Sequence, residues 1–262
     1  MVLPFLEFRR SCAFVLLLAV VVCIGSQWAA SASDSPIGQQ STDTTGTVET
    51  QVVRPGIEPG VGADQRSVLQ RAQALVVDGK VAEAEQVLQQ IISAIERQIG
   101  KDDRTRVCVA NKEEFARFAS EHGDTAKVVW VDWAYREAIQ TQAFIAAARG
   151  EFEDALSILK RVEALSPFDP ASLIERGFVL NKLGRSSEAL ESYRRAYELT
   201  QQFSSARPSA PSALRGIGFA LVELGDLKGA RKAYEDSLKL EPNNPTALHE
   251  LDYIRSLEKA NR

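Results

Sequence analysis

The stretch Pro211–Pro242, PSALRGIGFALVELGDLKGARKAYEDSLKLEP, decides how this chain is read. Gly225 divides it into two segments of about 13 residues with apolar side chains at helical spacing. Glycine at that point suits a helix that ends in the left-handed backbone region before the chain turns back. Gly218 lies seven residues before Gly225, Ala230 five after it and Tyr234 nine after it. Two upstream stretches repeat the spacing. Around Gly184 stand Gly177, Ala189 and Tyr193, and around Gly150 stand Ala143, Ala155 and Leu159. The first two units are 34 residues apart and the next is 41 away, which places a seven-residue insertion within Gln202–Ala210. A weaker copy uses Gly79, with Ala72, Ala84 and Leu88 at the matching offsets.

The spacing has a physical reading. The small residue in each first (A) helix and the alanine in each second (B) helix mark where the pair crosses, and the large residue after them fills the space between pairs. Pro167 and Pro242 end their B helices, because proline cannot continue a helix. A lone pair cannot bury its apolar face, so neighbouring pairs must stack into a solenoid.

These residues resemble the tetratricopeptide repeat family. Its pattern asks for a small residue, glycine seven later, alanine five further, then an aromatic, an alanine and a closing proline. The unit from Pro211 follows it with Gly218, Gly225, Ala230, Tyr234 and Pro242, although Ser237 replaces the second alanine. The unit from Pro170 has Gly177, Gly184, Ala189, Tyr193 and Ala196, but Gln201 replaces the proline, so its B helix is expected to run on towards Ser205. The unit from Arg136 has Ala143, Gly150, Phe152, Ala155 and Pro167, with Leu159 and Val162 in place of the aromatic and the alanine. The resemblance covers residues 136–242 strongly and the Gly79 unit weakly. It implies an all-α, right-handed solenoid of helical hairpins.

Composition is that of an ordinary globular chain: 262 residues, 45% hydrophobic and 25% charged. The net charge of −4 gives no support to nucleic-acid binding, which needs a basic face. Removing residues 1–32 would change it to −5 and leave Cys108 as the lone cysteine, since Cys12 and Cys23 lie in the N-terminal apolar stretch. One thiol forms neither an internal disulfide nor a multi-cysteine zinc site, and it reads as a small buried apolar residue. His122 and His249 are far apart and no His-Glu-x-x-His signature exists. No metal or cofactor is expected.

Arg9 and Arg10 precede an uncharged run, Cys12–Ile24, and Ala30-Ser31-Ala32 follows it. A positive start, a short apolar core and an A-x-A end make a secretory signal. The core is about 13 residues, short of the roughly 20 a spanning helix needs. Cleavage would start the mature chain near Ser33 in a periplasmic or extracellular space; membrane contact would need an uncleaved signal. Lipidation at Cys23 is disfavoured because Val22 precedes it, where a small residue belongs.

The organisation expected is a signal at 1–32, a Ser/Thr/Gly/Pro/Gln-rich disordered tether at 33–63, a degenerate hairpin at 64–100 and a mixed insertion at 101–132. Repeats follow at 133–169, 170–210 and 211–244, with a capping helix at 245–262 that puts Leu248, Leu251, Ile254 and Leu257 on one face and His249 off it. In the insertion, Val107–Val109 and Val128–Val131 read as strands. Between them Asn111 and Glu114 form a capping-box-like start to a helix carrying Phe115 and Phe118 and ending before Gly123. This strand–helix–strand element reads either as a partner-specific epitope or as a spacer that rigidifies the first strong repeat. Asp132 then caps an A helix running through Trp133 and Phe144 to Arg149.

In the family the A helices line the concave wall, which implies the site. Phe144, Phe178 and Phe219 occupy one equivalent inward position. Around them lie Glu137, Gln140, Ala147 and Ala148, then Ile174, Asn181 and Lys182, then Arg215, Val222 and Glu223. Three exposed phenylalanines in a row would exceed the apolar patch a monomer usually leaves open. Either an amphipathic partner segment covers them, or the chain does so itself with the degenerate hairpin or the insertion. The family's clamp for C-terminal carboxylates needs basic residues at fixed inward positions. Gln140, Ile174 and Arg215 stand at one of these, and Lys182 with Arg215 does not complete the clamp. No nucleophile–histidine–acid set or phosphate-binding glycine loop is present. The leading reading is an exported scaffold that binds a protein or peptide, with no catalysis. The rivals are an enzyme accessory with a site in 101–132 beside His122, and self-association through the concave ladder.

Overall fold

Gly79, Gly150, Gly184 and Gly225 have φ of +74°, +82°, +74° and +82°. At each, the glycine N–H and the N–H after it fold back onto the last helical turn; Gly184 bonds the Asn181 carbonyl at 3.0 Å and Arg185 that of Leu180 at 2.9 Å. This paired closure satisfies carbonyls that a helix end otherwise leaves open. The structure is a computed structural model that describes residues 60–260. The signal reading and the tether reading up to residue 59 lie outside the described residues.

The four glycines join four hairpins: α1 (Arg66–Val77) with α2 (Val81–Ile99), α4 (Trp133–Arg149) with α5 (Phe152–Leu165), α6 (Pro170–Lys182) with α7 (Ser186–Gln202), and α8 (Ala210–Glu223) with α9 (Leu227–Leu240). A final helix, α10 (Pro245–Ala260), closes the array. Between the first two hairpins come β1 (Thr105–Val107), α3 (Lys112–His122) and β2 (Val128–Trp130). The fold is a solenoid of helical hairpins with a small strand insertion. Asp132, Asp169 and Asp226 each cap the helix that follows by accepting a backbone N–H. Among the described residues, no helix is long and apolar enough to cross a membrane.

Packing follows the small–large alternation. Ala155, Ala189 and Ala230 are fully buried. A β-carbon at Gly177 would lie 2.7 Å from the Tyr193 ring, and one at Gly218 would lie 2.7 Å from the Tyr234 ring. Gly216, on the next A helix, would press a β-carbon still closer onto Tyr193. The Tyr193 ring is therefore gripped by A helices of two successive hairpins.

Several boundaries differ from the sequence reading. Residues 60–63, expected as the end of a tether, are held in place: Val61 bonds the Trp130 carbonyl, and Asp132 bonds the Val61 carbonyl, both at 2.9 Å. The α7 helix stops at Gln202 rather than running towards Ser205. The added residues form 3-10 turns over Ser204–Ser209. The first strand is Thr105–Val107, two residues earlier than expected, and it pairs in parallel with β2. Asn111 accepts the Glu114 N–H at 3.0 Å as expected, but the Glu114 carboxylate returns to the Ala110 N–H at 2.7 Å. On α10, Leu251 and Ile254 are buried while Leu248 is 44% exposed, so Leu248 is not part of the packed face.

The insertion lies where B helices hand over to A helices. Val107, Phe118 and Val128 share a core with Phe168, Leu173, Leu199, Phe203 and Ala206. The Cys108 N–H bonds the Leu165 carbonyl at 2.7 Å. Ser204 donates to Glu113 and Ser205 to Glu114, the latter at 2.7 Å. The two departures from the repeat period therefore brace each other.

Two substitutions separate these constraints. Gly177→Ala is expected to cost about 1–3 kcal/mol through overpacking against Tyr193. Gly184 has open space around it, so Gly184→Val pays only the left-handed backbone cost of about 1–2 kcal/mol, and Gly184→Asn pays less. Urea unfolding of the three variants checks this order; equal losses for Val and Asn at position 184 would contradict it.

Candidate protein-interaction groove

Phe144, Phe178 and Phe219 stand at the same position on α4, α6 and α8, and all three are half-buried. Phe144 packs against the cluster containing Leu69, Leu88 and Ile139, so the first hairpin's core covers part of it. Phe178 packs against the cluster of Ala143, Ala146 and Val179, and the Lys182 ammonium lies 5.3 Å from its ring centre. Asn181 Nδ2 reaches the Tyr193 hydroxyl at 3.5 Å, while its Oδ1 is buried with no hydrogen-bond partner among the described residues. Arg215 turns to its own hairpin: it bonds Glu241, and Ser212 Oγ at 2.9 Å.

Gln140 is not an open groove residue as expected, since it is 2% exposed. It belongs to a polar network that the sequence reading missed. Arg136 donates to Glu137 at 2.5 Å, to Asp169 at 2.6 Å and to Gln140 Oε1 at 3.0 Å. Gln140 Nε2 donates to Glu175 Oε1 at 3.1 Å, tying α4 to α6. The available signal was adjacent charges, Arg136-Glu137, on a helix whose other positions are mostly apolar. Arg136 and Glu137 are 6% and 4% exposed.

One guanidinium serves this group of carboxylates. Burial opposes the Arg136 charge, but Glu137 and Asp169 hold it firmly protonated. Burial pushes the Glu137 carboxyl up against the opposing pull of Arg136. Glu175 is raised to about 8, by burial first and by repulsion from Glu137 and Asp169, against the hydrogen bond from Gln140. Cys108, in the adjacent core, is pushed up to about 12 by burial, which makes it an unreactive thiol at neutral pH.

The remaining candidates lie apart from this wall. His122 is exposed, stacks on Phe118 at 4.1 Å and contacts the Phe118 carbonyl through Nδ1 at 3.1 Å. No group of three or more metal-ligating side chains occurs among the described residues. An open cleft of about 820 Å³ lies among α2, α4 and α5, lined by Glu85, Gln86, Gln89, Gln142, Glu151 and Asp154. Arg149 and Glu85 form a two-pronged ion pair beside it, at 2.5 and 2.7 Å.

The Glu175 shift predicts a pH dependence. The native state holds this proton more tightly than the unfolded chain, so its contribution to stability falls as pH rises from about 4.5 to about 8. Glu175→Gln should flatten that part of the curve and raise the melting temperature relative to the parent at pH 8.5. Parallel melting curves from pH 5 to 9 would contradict the assignment.

The sequence matches the family described as tetratricopeptide repeat over residues 169–241. It is 36% identical over 102 residues to the CTR9 homolog of Arabidopsis thaliana, spanning 38% of this chain and 9% of that protein. It is 24% identical over 129 residues to the heat-shock cognate co-chaperone sgt12 of Aspergillus fumigatus, spanning 48% of this chain and 36% of that protein. The chain thus spans only a small part of each relative's length. The solved structure of a Podospora anserina protein with nearly identical TPR-like repeats superposes with a TM-score of 0.51 at 18% identity, over 76% of this chain and 88% of that one. Residues 169–241 thus match the tetratricopeptide repeat, within a larger array of helical hairpins.

Proposed function

We propose that this chain is an exported scaffold that binds a protein or peptide segment along its A helices and carries out no chemistry of its own. The observation that carries the reading is the row Phe144, Phe178 and Phe219, one half-buried ring at the same position on each of three successive A helices. Rings so placed offer apolar anchor points at regular spacing, which suits an extended or helical partner segment. The family match and the co-chaperone relative support protein binding as the class of activity. Export rests on Arg9, Arg10, the Cys12–Ile24 run and Ala30-Ser31-Ala32.

The partner is not of the C-terminal carboxylate type. Ile174 and the buried Gln140 supply no positive charge, and Arg215 is engaged by Glu241.

Phe178→Asp places a charge in the centre of the row. It should abolish partner crosslinking in the native compartment while leaving the far-ultraviolet circular dichroism unchanged. An unaltered crosslinking pattern would remove the groove from the account. For export, N-terminal sequencing of protein recovered outside the cytoplasm should begin near Ser33; an intact Met1 on that material would refute cleavage.

A further inference from the structure

We propose that Glu175 recognises a lysine or arginine side chain of the docked segment, with apolar anchors of that segment on Phe144 and Phe178. The inference rests on the groove reading above and adds the chemistry of its occupant. Charge balance is the first argument. The guanidinium of Arg136 is already bonded to Glu137 and Asp169. Glu175 receives the neutral amide of Gln140 at Oε1, and no cation bonds it among the described residues. The residue as a whole is half-buried.

Position is the second argument. Glu175 precedes Phe178 by three residues on α6, and Gln140 precedes Phe144 by four on α4, so each polar residue shares a helix face with its ring. The Gln140–Glu175 bond joins these two helices one turn from the ring row. A cation entering there meets a carboxyl oxygen with aromatic surface close by, and both attract it. An anion would meet Glu137, Asp169 and Glu175 together.

The charged groups facing Glu175 are Arg136 and Glu137 from α4 and Asp169 from the turn before α6. From α8, Arg215 is drawn towards α9 by Glu241. With the Glu175 carboxyl raised to about 8, a bound ammonium forms its ion pair only after the carboxyl proton leaves to solvent. Affinity should therefore rise with pH between about 6 and 9, and docking at pH 7 should release about half a proton.

The test pans a random dodecapeptide phage library over the full chain and its variants at pH 8. The parent should enrich peptides with a lysine or arginine between apolar residues. Glu175→Gln should lose the basic preference, and Phe178→Asp should lose enrichment altogether. In an enriched peptide, replacing lysine by norleucine should weaken binding about tenfold on the parent and hardly at all on Glu175→Gln. Titration calorimetry in two buffers of different ionisation heat should report the released proton. Enriched peptides without a basic preference, or with one that Glu175→Gln leaves intact, would overturn this inference while Phe178→Asp sensitivity kept the groove. Absence of proton release would overturn it likewise. Enrichment that is the same on the parent and Phe178→Asp, or none at all, would remove the groove and this inference together.

Discussion

The Tyr193 ring lies against Gly177 of its own hairpin and Gly216 of the next, and at neither position is there room for a single added carbon. Dense packing of this kind does not deform continuously. It sets how near α8 comes to α6, and so the pitch at which A helices succeed one another. Tyr234 against Gly218 repeats the arrangement within the next hairpin. The groove wall is a consequence: rings at equivalent positions line up because the helices carrying them are held at close contact elsewhere.

The same constraint explains how the array tolerates a 41-residue spacing between two glycines that a regular repeat would put 34 apart. The extra residues are not absorbed by sliding α8 along α6, since that would carry Gly216 off the tyrosine. They leave the register as 3-10 turns over Ser204–Ser209. Phe203 and Ala206 are buried in one cluster with Phe168 and with Phe118 and Val128 of the insertion. Glu114, desolvated there and raised in pKa by burial, is compensated by the Ala110 N–H and the Ser205 hydroxyl.

Next to the insertion, the hand-over from α4 to α6 is polar where its neighbours are apolar. Arg136, Glu137, Gln140, Asp169 and Glu175 form one connected set, and breaking one member would leave a buried charge or amide unsatisfied. Such a set costs more to assemble than an apolar contact of equal size, but it holds two helices in a single relative position. It also leaves one carboxyl short of a cation beside the ring row.

The repeat register, the four turning glycines, the aspartate cap at Asp132 and the strand–helix–strand insertion were legible in the sequence, because each depends largely on residues close together in the chain. Backbone sterics at Gly184, or the reach of an aspartate side chain to the N–H two residues on, are local facts. The partners of Tyr193, the fate of Gln140 and the meeting of Glu114 with Ser205 were not legible. Each joins residues on separate elements, 91 positions apart in the last case. Whether Gln140 faces a partner or an internal guanidinium depends on where Asp169 and Glu175 come to rest. Only the stacking of hairpins decides that, since burial is a property of the assembled solenoid and not of any one helix.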